Sequence, residues 1–210
     1  MPERDFKERS RTAFDRVARD YDSGHYGRHA RRLQADVLAA VGTFSFAVVL
    51  DVGCGTGAVL QAILAAHPRA RGIGVDLSAG MLGVARERLG DTAELRVGDA
   101  EHLPIRDDGV DLVVCVDSVH HYPHPETALR EMARVTRPGG GLVIGEWRVA
   151  APLRRLMNAL LPRMPGGDVR IYAERELSEL AASAGFSVER CQPAGVRGQL
   201  LVARRSGARE

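Results

Sequence analysis

The chain has 210 residues, of which 45% are hydrophobic and 27% are charged, proportions that are ordinary for a globular protein of one domain. Its 29 basic and 27 acidic residues are interleaved and leave a net charge of +2. Because a surface that binds nucleic-acid phosphates needs concentrated positive charge, this balance predicts no nucleic-acid partner.

The N-terminal segment, residues 1–45, is predicted to form a helical cap. Phe14, Val17, Ala18 and Tyr21 recur at helical spacing, and the stretch YDSGHYGRH then interrupts the pattern. The charged beginning MPERDFKERS has no apolar segment typical of a signal peptide. We therefore expect a cytoplasmic protein.

Strand and helix patterns alternate in the next hundred residues, 46–147. Short apolar runs predict strands at 46–52, 71–75, 94–97, 110–116 and 141–144, and amphipathic stretches predict helices at 58–66, 79–89 and 126–135. Continuous apolar strands separated by helices are typical of a parallel sheet that is covered on both faces. This segment is the predicted ligand-binding core.

Residues 148–173 depart from the alternation and are predicted to form a lid-like insertion. One apolar face is expected there, and its members are Leu153, Leu156, Met157, Leu160 and Leu161. After a helix at 174–184, the runs FSVERCQ and GQLLVARR are joined by the short PAGVR, which permits a hairpin but no parallel crossover. The expected fold is therefore a Rossmann-like α/β domain, 1–210, with a seven-stranded, mostly parallel sheet that ends in an antiparallel hairpin (174–210).

A glycine-rich loop follows the first predicted strand. The stretch VVLDVGCGTGAVL places Gly53, Gly55 and Gly57 at the junction of strand and helix, where the backbone turns tightly and helix N–H groups favour an anion. GCGTGA also fits the dinucleotide pattern. Asp51, two residues earlier, would repel a pyrophosphate but suits a ligand with an ammonium group.

Two further strands also end in acidic residues. Asp76 ends the second strand, where it is placed to accept two hydrogen bonds from a ribose diol, and Asp99, Ala100 and Glu101 end the third, where a side-chain oxygen could meet an adenine amino group. Open α/β sheets bind ligands in the crevice at these strand ends. The pattern favours a ligand that is part nucleotide and part amino acid over a dinucleotide.

Five motifs in the same order resemble those of class I S-adenosylmethionine-dependent methyltransferases, and most closely the methyltransferase type 11 branch with the ubiquinone and menaquinone C-methyltransferases. They are LDVGCGTG, GVDLSAGMLGVARERL, LRVGDAEHLPIRDDGVDLVVC, the HH pair, and LREMARVTRPGGGLVIGE. The match runs from about residue 46 to residue 147, with weaker similarity in FDRVARDYD and AERELSELAASAGF.

The resemblance implies S-adenosylmethionine as cofactor. It places the methionyl part in the glycine loop near Asp51, the ribose on Asp76, the adenine between Leu77 and Met81, and the adenine edge near Asp99 and Ala100. It also implies a carbonyl contact from Cys115. Glu101 is a cofactor candidate that could equally face solvent. The implied cofactor residues are Asp51, Gly53, Cys54, Gly55, Gly57, Asp76, Leu77, Met81, Asp99, Ala100, Glu101 and Cys115.

The stretch DSVHHYPHP, after the fourth strand, is compatible with a metal site, a catalytic base or a structural turn. The rings of His120 and His121 are expected to point apart, and no suitably spaced carboxylate or HExxH pattern accompanies them, so we expect no metal. A histidine suits a base near neutral pH, and His120 is preferred over His121. His124 is expected to form a turn, and Asp117 to cap a helix or contact the acceptor.

Residues for the methyl acceptor are sought outside the shared motifs. The candidates are Tyr21, His25, Tyr26, His29, Glu146, Trp147 and Met157. Each N-terminal candidate could as well be a packing residue. The predicted activity is methyl transfer to a small molecule, with C- or O-methylation of an apolar or aromatic metabolite favoured.

Several alternatives stay open at this point. The same cofactor and fold could serve a non-methylating reaction or a non-catalytic cofactor-binding subunit, and a third alternative is an NAD-dependent oxidoreductase, which would bind nicotinamide instead. Cys54, Cys115 and Cys191 form no CxxC pair, which argues against a disulfide framework or a zinc ribbon. No apolar run reaches the roughly 20 residues of a membrane span, and the sequence leaves a homodimer open.

Overall fold

The structure is a computed structural model that describes residues 3–24, 27–164 and 166–207. Side chains are described from residue 6 onward within these ranges. Two candidates for the acceptor side, His25 and Tyr26, lie outside the described residues.

In the described ranges, seven strands form one sheet in the order β3-β2-β1-β4-β5-β7-β6. Strands β1 to β5 pair in parallel, and β7 is antiparallel to both of its neighbours. This arrangement confirms the predicted fold class and the C-terminal hairpin. The strands are β1 (Val48–Val52), β2 (Arg71–Asp76), β3 (Ala93–Val97), β4 (Val110–Val116), β5 (Thr136–Trp147), β6 (Phe186–Ala194) and β7 (Gly198–Arg205).

Strand β5 begins earlier than the sequence pattern predicts. The expected start was residue 141, but the backbone is already extended from Thr136, which pairs with Val110 of β4. The register between the two strands shifts after that pair. The stretch TRPGGG lacks apolar side chains in its middle, so hydrophobic pattern alone could not assign it to a strand.

The helices cover both faces of the sheet. In β1, Val49 packs on the side of α2, α3 and α4, while the next residue, Leu50, packs on the side of α5 and α7, as the alternation along a strand requires. The helices are α1 (Glu3–Val17), α2 (Gly27–Val41), α3 (Ala58–Ala66), α4 (Ala79–Leu89), α5 (Pro125–Val135), α6 (Ala151–Leu160) and α7 (Glu174–Ser183).

Helix α1 lies against the end of the sheet where the parallel strands finish. Asp15 of α1 accepts hydrogen bonds from Ser78 Oγ (2.6 Å) and the Gly80 N–H (2.9 Å) at the start of α4. At the other end of α1, Lys7 Nζ donates to Asp99 and Glu101 just after β3. The N-terminal helix is therefore fixed to two neighbouring strand ends.

Helix α6 is held by few contacts. The Asn158 amide exchanges two hydrogen bonds with the backbone of Ile171, at 3.0 and 2.9 Å. On the predicted apolar face, Leu153, Leu156 and Leu160 are 52–59% exposed, whereas Met157 is half-buried. No helix in the described part of the chain has the length and apolarity needed to cross a membrane.

Candidate functional site

Two positions of the loop between β1 and α3 are glycine for different structural reasons. Gly55 has a φ of +53°, and a Cβ placed there would meet no atom within 4 Å, so its backbone faces open space. Gly57 has a φ of +76°, and a Cβ there would lie 2.7 Å from Leu89 Cδ1. Gly57 thus lets α3 pack closely on α4, whereas Gly55 leaves room for a ligand.

A narrow cavity, called the first cavity, lies at this loop. It encloses about 120 Å³. The sequence-predicted residues that line it are Asp51, Gly53, Cys54, Gly55, Asp76, Leu77, Met81, Asp99 and Ala100, together with Tyr21 from the N-terminal segment. Gly57, Glu101 and Cys115 are not part of its wall.

Asp51 is a buried carboxylate without a full set of partners. Its side chain is 2% exposed, and Oδ2 has no hydrogen-bond partner among the described residues. Burial, with a further contribution from the charge of Asp76, raises the pKa of Asp51 to about 7. A cationic group in the first cavity would satisfy this oxygen and stabilise its charge.

Asp76 organises the backbone around the same cavity. Its two oxygens accept hydrogen bonds from the N–H groups of Gly55 and Ser78, each at 2.8 Å. Burial raises the pKa of Asp76 although these hydrogen bonds oppose the shift. Each carboxylate oxygen has a second lone pair, so Asp76 can hold the loop and still accept hydrogen bonds from a diol.

Beyond β3, Lys7 joins the two acids that the sequence places there. Its Nζ lies 2.8 Å from Asp99 Oδ2 and 2.6 Å from Glu101 Oε2. Glu101 also accepts a hydrogen bond from the His124 N–H at 3.0 Å. Glu101 is therefore turned away from the first cavity and links α1 to the loop after β4. No sequence pattern predicts this role for Lys7.

Cys115 is fully buried in the core rather than placed at the cavity. Its Sγ lies 3.6 Å from the Tyr122 hydroxyl, which also lies 2.7 Å from Ser118 Oγ. Burial raises the pKa of the Cys115 thiol well above its usual value. At the end of β4 the wall of the first cavity is formed by Val116, Asp117 and Ser118.

A larger cavity, called the second cavity, lies next to the first and encloses about 640 Å³. Its apolar wall comes from α1, the end of β5, and the insertion. Those side chains are Phe14, Val17, Tyr21, Trp147, Met157, Leu161, Met164 and Ile171, and the polar groups on the wall include Asp117, His120, His121 and Asp168. Phe14, Tyr21, Asp117 and His121 line both cavities.

Trp147 is placed by a chain of contacts that begins at Asp117. Its ring stacks on His29 at a centroid distance of 4.7 Å, and His29 Nδ1 lies 2.6 Å from Asp117 Oδ1. The other oxygen of Asp117 is buried and has no hydrogen-bond partner among the described residues. Asp117 lines both cavities, its φ is +51°, and the N-cap of the 3₁₀ turn is the next residue, Ser118.

His120 is held by Glu146 behind the wall of the second cavity. His120 Nδ1 lies 2.8 Å from Glu146 Oε2, and Glu146 Oε1 accepts a hydrogen bond from the Ser118 N–H at 3.0 Å. Burial alone would lower the pKa of His120, but the Glu146 carboxylate outweighs it and raises that pKa to about 9. Glu146 itself lines neither cavity and supports the ring of His120.

The rings of His120 and His121 converge, contrary to the prediction that they point apart. Their centroids are 4.1 Å apart, because residues 119–121 form a single 3₁₀ turn and a third residue draws both rings together. Asp168 Oδ1 lies 3.2 Å from His121 Nδ1 and 3.7 Å from His120 Nε2. Burial and the nearby His120 hold the pKa of His121 well below its usual value.

Comparison with known proteins gives one family. Residues 50–144 match a family model described as a methyltransferase domain. The chain is 34% identical over 192 residues to malonyl-[acyl-carrier protein] O-methyltransferase of Geobacter sulfurreducens, an alignment that covers 85% of this chain and 70% of that protein. It is 38% identical over 158 residues to demethylmenaquinone methyltransferase of Renibacterium salmoninarum, covering 71% and 64%.

A third relative is named as a methyltransferase of tRNA rather than of a small molecule. The chain is 33% identical over 156 residues to probable tRNA methyltransferase 9B of Mus musculus, covering 72% of this chain and 32% of that protein. This chain therefore spans less than two thirds of the length of the mouse and the Renibacterium proteins.

Among solved structures, the fold is similar to a complex from Haloferax volcanii between the Trm112 methyltransferase activator and a methyltransferase. The TM-score is 0.77 at 24% identity, covering 92% of this chain and 98% of that chain. At this identity the likeness supports the fold alone.

Proposed function

Because this chain belongs to the class I S-adenosylmethionine-dependent methyltransferases, we propose that it methylates a small molecule held in the second cavity. The family, its type 11 branch and the cofactor that the motifs predicted are confirmed by the family model and the relatives. The identity of the acceptor and the residue assignments are our proposals.

The first cavity fits the cofactor in its chemistry. The unpartnered oxygen of Asp51 suits the ammonium of the methionyl group, and the open side of Gly55 leaves room beside it. Asp76 suits the ribose diol, with Leu77 and Met81 on the wall beside the adenine. When bound, S-adenosylmethionine supplies an electrophilic methyl group on a sulfonium.

One observation carries the proposed acceptor class: the second cavity adjoins the first and is mostly apolar. Its volume of about 640 Å³ lies within the range of roughly 300–1,000 Å³ that is usual for small-molecule sites. Aromatic and aliphatic side chains form most of its wall, and polar groups come from the histidine turn with Asp117 and Asp168 and from four residues of α1, Glu8, Arg9, Thr12 and Arg16. An apolar or aromatic molecule with one nucleophilic oxygen or carbon would fit this distribution.

His121 is the histidine best placed at the junction of donor and acceptor. It lines both cavities, whereas His120 lines the second cavity alone. In-line displacement depends mainly on holding the two reactants at near-attack distance, and a base is needed where the acceptor carries a proton. We assign His121, backed by His120, to the acceptor's reacting group, which reverses the order preferred from sequence.

Helix α1 forms part of the wall of the first cavity, which bears on how the cofactor enters. A first cavity of about 120 Å³ is smaller than the roughly 300 Å³ at which ligand sites begin, and Lys7 and Tyr21 of the N-terminal segment form part of its wall. We infer that α1 opens for the cofactor and closes after it. Together with α6, it would then exclude water from the reacting groups.

The test uses methyl-labelled S-adenosylmethionine, the purified chain and separate acceptor panels: phenols, aliphatic hydroxy compounds, carbon acids and tRNA. The expected result is label in one small-molecule panel and none when Asp76→Ala replaces the wild-type chain. Label in tRNA alone would refute the small-molecule acceptor. Tight cofactor binding with no label in any panel would support a non-methylating reaction or a binding subunit.

A further inference from the structure

Three side chains on the wall of the second cavity converge as a metal site would require. Among the residues that the structure describes, His120, His121 and Asp168 form a group whose ligand atoms all lie within 4.8 Å of one another. Asp168 comes from the insertion, far along the chain from the histidine pair. No sequence motif joins the three residues, so folding alone brings them together.

The spacing of the three atoms matches a common centre. Metal bonds to imidazole nitrogen and carboxylate oxygen are about 2.0–2.2 Å long, so two ligands of one ion in a tetrahedral or octahedral site lie roughly 2.8–3.6 Å apart. The distances from Asp168 Oδ1 are 3.2 Å to His121 Nδ1 and 3.7 Å to His120 Nε2. The first distance lies within that range and the second exceeds it by about a tenth of an ångström, while the ligand atoms of the two histidines lie within 4.8 Å of each other.

The hydrogen bonds around the histidines leave the ligand atoms available. His121 Nδ1 is buried and has no hydrogen-bond partner among the described residues. His120 uses Nδ1 for Glu146 and presents Nε2 to Asp168, which is the carboxylate–histidine arrangement that orients metal-binding imidazoles. An ion-pair network of Glu146, His120 and Asp168 would explain His120, whereas His121 Nδ1 lies 3.2 Å from Asp168 Oδ1 without forming a hydrogen bond to it.

Backbone hydrogen bonds hold the carboxylate of Asp168 close to the two histidine rings. The N–H groups of Val169 and Arg170 both donate to the carbonyl of His120, at 2.8 and 3.2 Å. Since Asp168 precedes these residues directly, its side chain is held opposite the histidine turn. Such support from neighbouring groups distinguishes a built site from a chance cluster.

We propose that His120 Nε2, His121 Nδ1 and Asp168 Oδ1 bind a divalent transition-metal ion on the wall of the second cavity. Two imidazoles with one carboxylate suit ions such as Zn²⁺, Mn²⁺, Co²⁺ or Fe²⁺ rather than Mg²⁺ or Ca²⁺, which prefer oxygen ligands. The remaining positions on the ion face the cavity. This replaces the prediction from sequence that the chain holds no metal.

The role of the ion rests on the proposed function, whereas its binding does not. Coordination would orient an acceptor through its oxygen and lower the pKa of a hydroxyl or enol there, so that its proton passes to water before the acceptor attacks the methyl group and the methyl–sulfur bond breaks. This narrows the acceptor class to molecules with a coordinating oxygen at or beside the methylated atom.

Metal binding is tested without cofactor or acceptor, on tag-free protein freed of metal by a chelator. Titration with Zn²⁺ in a calorimeter and with Co²⁺ by visible absorption should give one ion per chain. His121→Ala and Asp168→Asn should each weaken binding at least tenfold, since a lost ligand or supporting group typically has such an effect. His102→Ala, which removes an exposed histidine outside the group, serves as the matched control and should bind as the wild type does.

Two results would overturn the proposal: no stoichiometric binding by the wild type, or equal binding by the wild type and both ligand variants. Circular dichroism on each variant checks its fold, and Asp168, at the partly exposed end of the insertion, is the substitution that should disturb folding least. If metal binding fails while labelled methyl transfer proceeds, the proposed function stands and the histidines act without an ion. If metal binds and no acceptor is labelled, the metal site stands and the proposed function is refuted.

Discussion

The two cavities lie side by side but are built in different ways. The first is walled by the ends of β1, β2 and β4, by the glycine loop and by residues of α1 and α2, with Asp51 and Asp76 buried beneath it. The second is walled by side chains from α1, the end of β5, the 3₁₀ turn after β4 and the insertion. The first cavity therefore depends more on the strand ends, and the second depends more on helices and loops outside the sheet.

This difference predicts how each cavity responds to substitution. Backbone N–H groups at strand ends cannot be relocated without moving the sheet, so a change at the first cavity should affect cofactor binding strongly. Side chains on helices and loops can be exchanged one at a time. We therefore expect changes at the second cavity to alter the acceptor while cofactor binding is preserved.

The largest effect is expected at Asp76. Asp76→Ala removes the acceptor of the Gly55 and Ser78 N–H groups and the proposed partner of the ribose, and hydrogen bonds to a charged group contribute about 1.5–3 kcal/mol each. The dissociation constant for S-adenosylmethionine should rise at least about 100-fold by calorimetry. Asp91→Ala, an exposed acid, is the control, and a change below threefold for Asp76→Ala would contradict its placement.

Asp51→Asn should change cofactor affinity and protein stability in opposite directions. Loss of the charge should weaken the cofactor about tenfold or more, yet the variant should be more stable without cofactor at pH 8. The pKa of Asp51 is raised to about 7 from about 4 when unfolded, so its stabilising contribution is complete below pH 4 and is lost as the pH rises through 7.

Urea denaturation at pH 4 and pH 8 measures this effect. The free energy of unfolding of Asp51→Asn should equal that of the wild type near pH 4 and exceed it by up to about 4 kcal/mol at pH 8, the value of three pKa units. A variant that is less stable than the wild type at pH 8 would show that another group already satisfies Asp51.

Trp147→Ala tests the independence of the second cavity. The ring lines that cavity and stacks on His29, and a lost aromatic wall should raise the acceptor KM about tenfold, with the cofactor dissociation constant unchanged. Trp147→Phe should retain most of the affinity. Equal losses for cofactor and acceptor would mean that the two cavities act as one.

The smallest effect is expected at Lys7. Lys7 and Asp99 are partly exposed, and the buried Glu101 keeps the His124 N–H as a partner when Lys7 is replaced; partly exposed ion pairs are worth about 1 kcal/mol or less. Lys7→Gln should speed cofactor dissociation two- to threefold and increase hydrogen exchange in α1. Lys7→Arg should restore both values, and unchanged exchange in α1 would show that Lys7 does not fasten the helix.

The same contrast explains what could be predicted from sequence. Asp51, Asp76 and Asp99 each end a parallel strand, so local pattern and sheet geometry together place them at one edge. Gly57 was assigned to the ligand with the other glycines, although a side chain there would collide with Leu89. Local pattern shows that a glycine is required but does not distinguish packing from binding.

The second cavity could not be predicted in this way. Asp168 meets His120 and His121 only because backbone hydrogen bonds bring the insertion back to the 3₁₀ turn, and no short-range pattern encodes that return. Lys7 is the only lysine of the sequence, and no local pattern assigns it a role, since its partners Asp99 and Glu101 lie far along the chain. Contacts of this kind need the folded chain.

The two hydrogen bonds from Val169 and Arg170 to the His120 carbonyl have a consequence for protein engineering. They fix the C-terminal end of the insertion, and β5, which ends at Trp147, fixes its N-terminal end. The intervening residues lie between two fixed points. Replacing residues 150–164 with a different segment should change this part of the wall of the second cavity without disturbing the 3₁₀ turn that carries the histidines. Diversification of substrate choice can thus proceed in one replaceable piece of the chain.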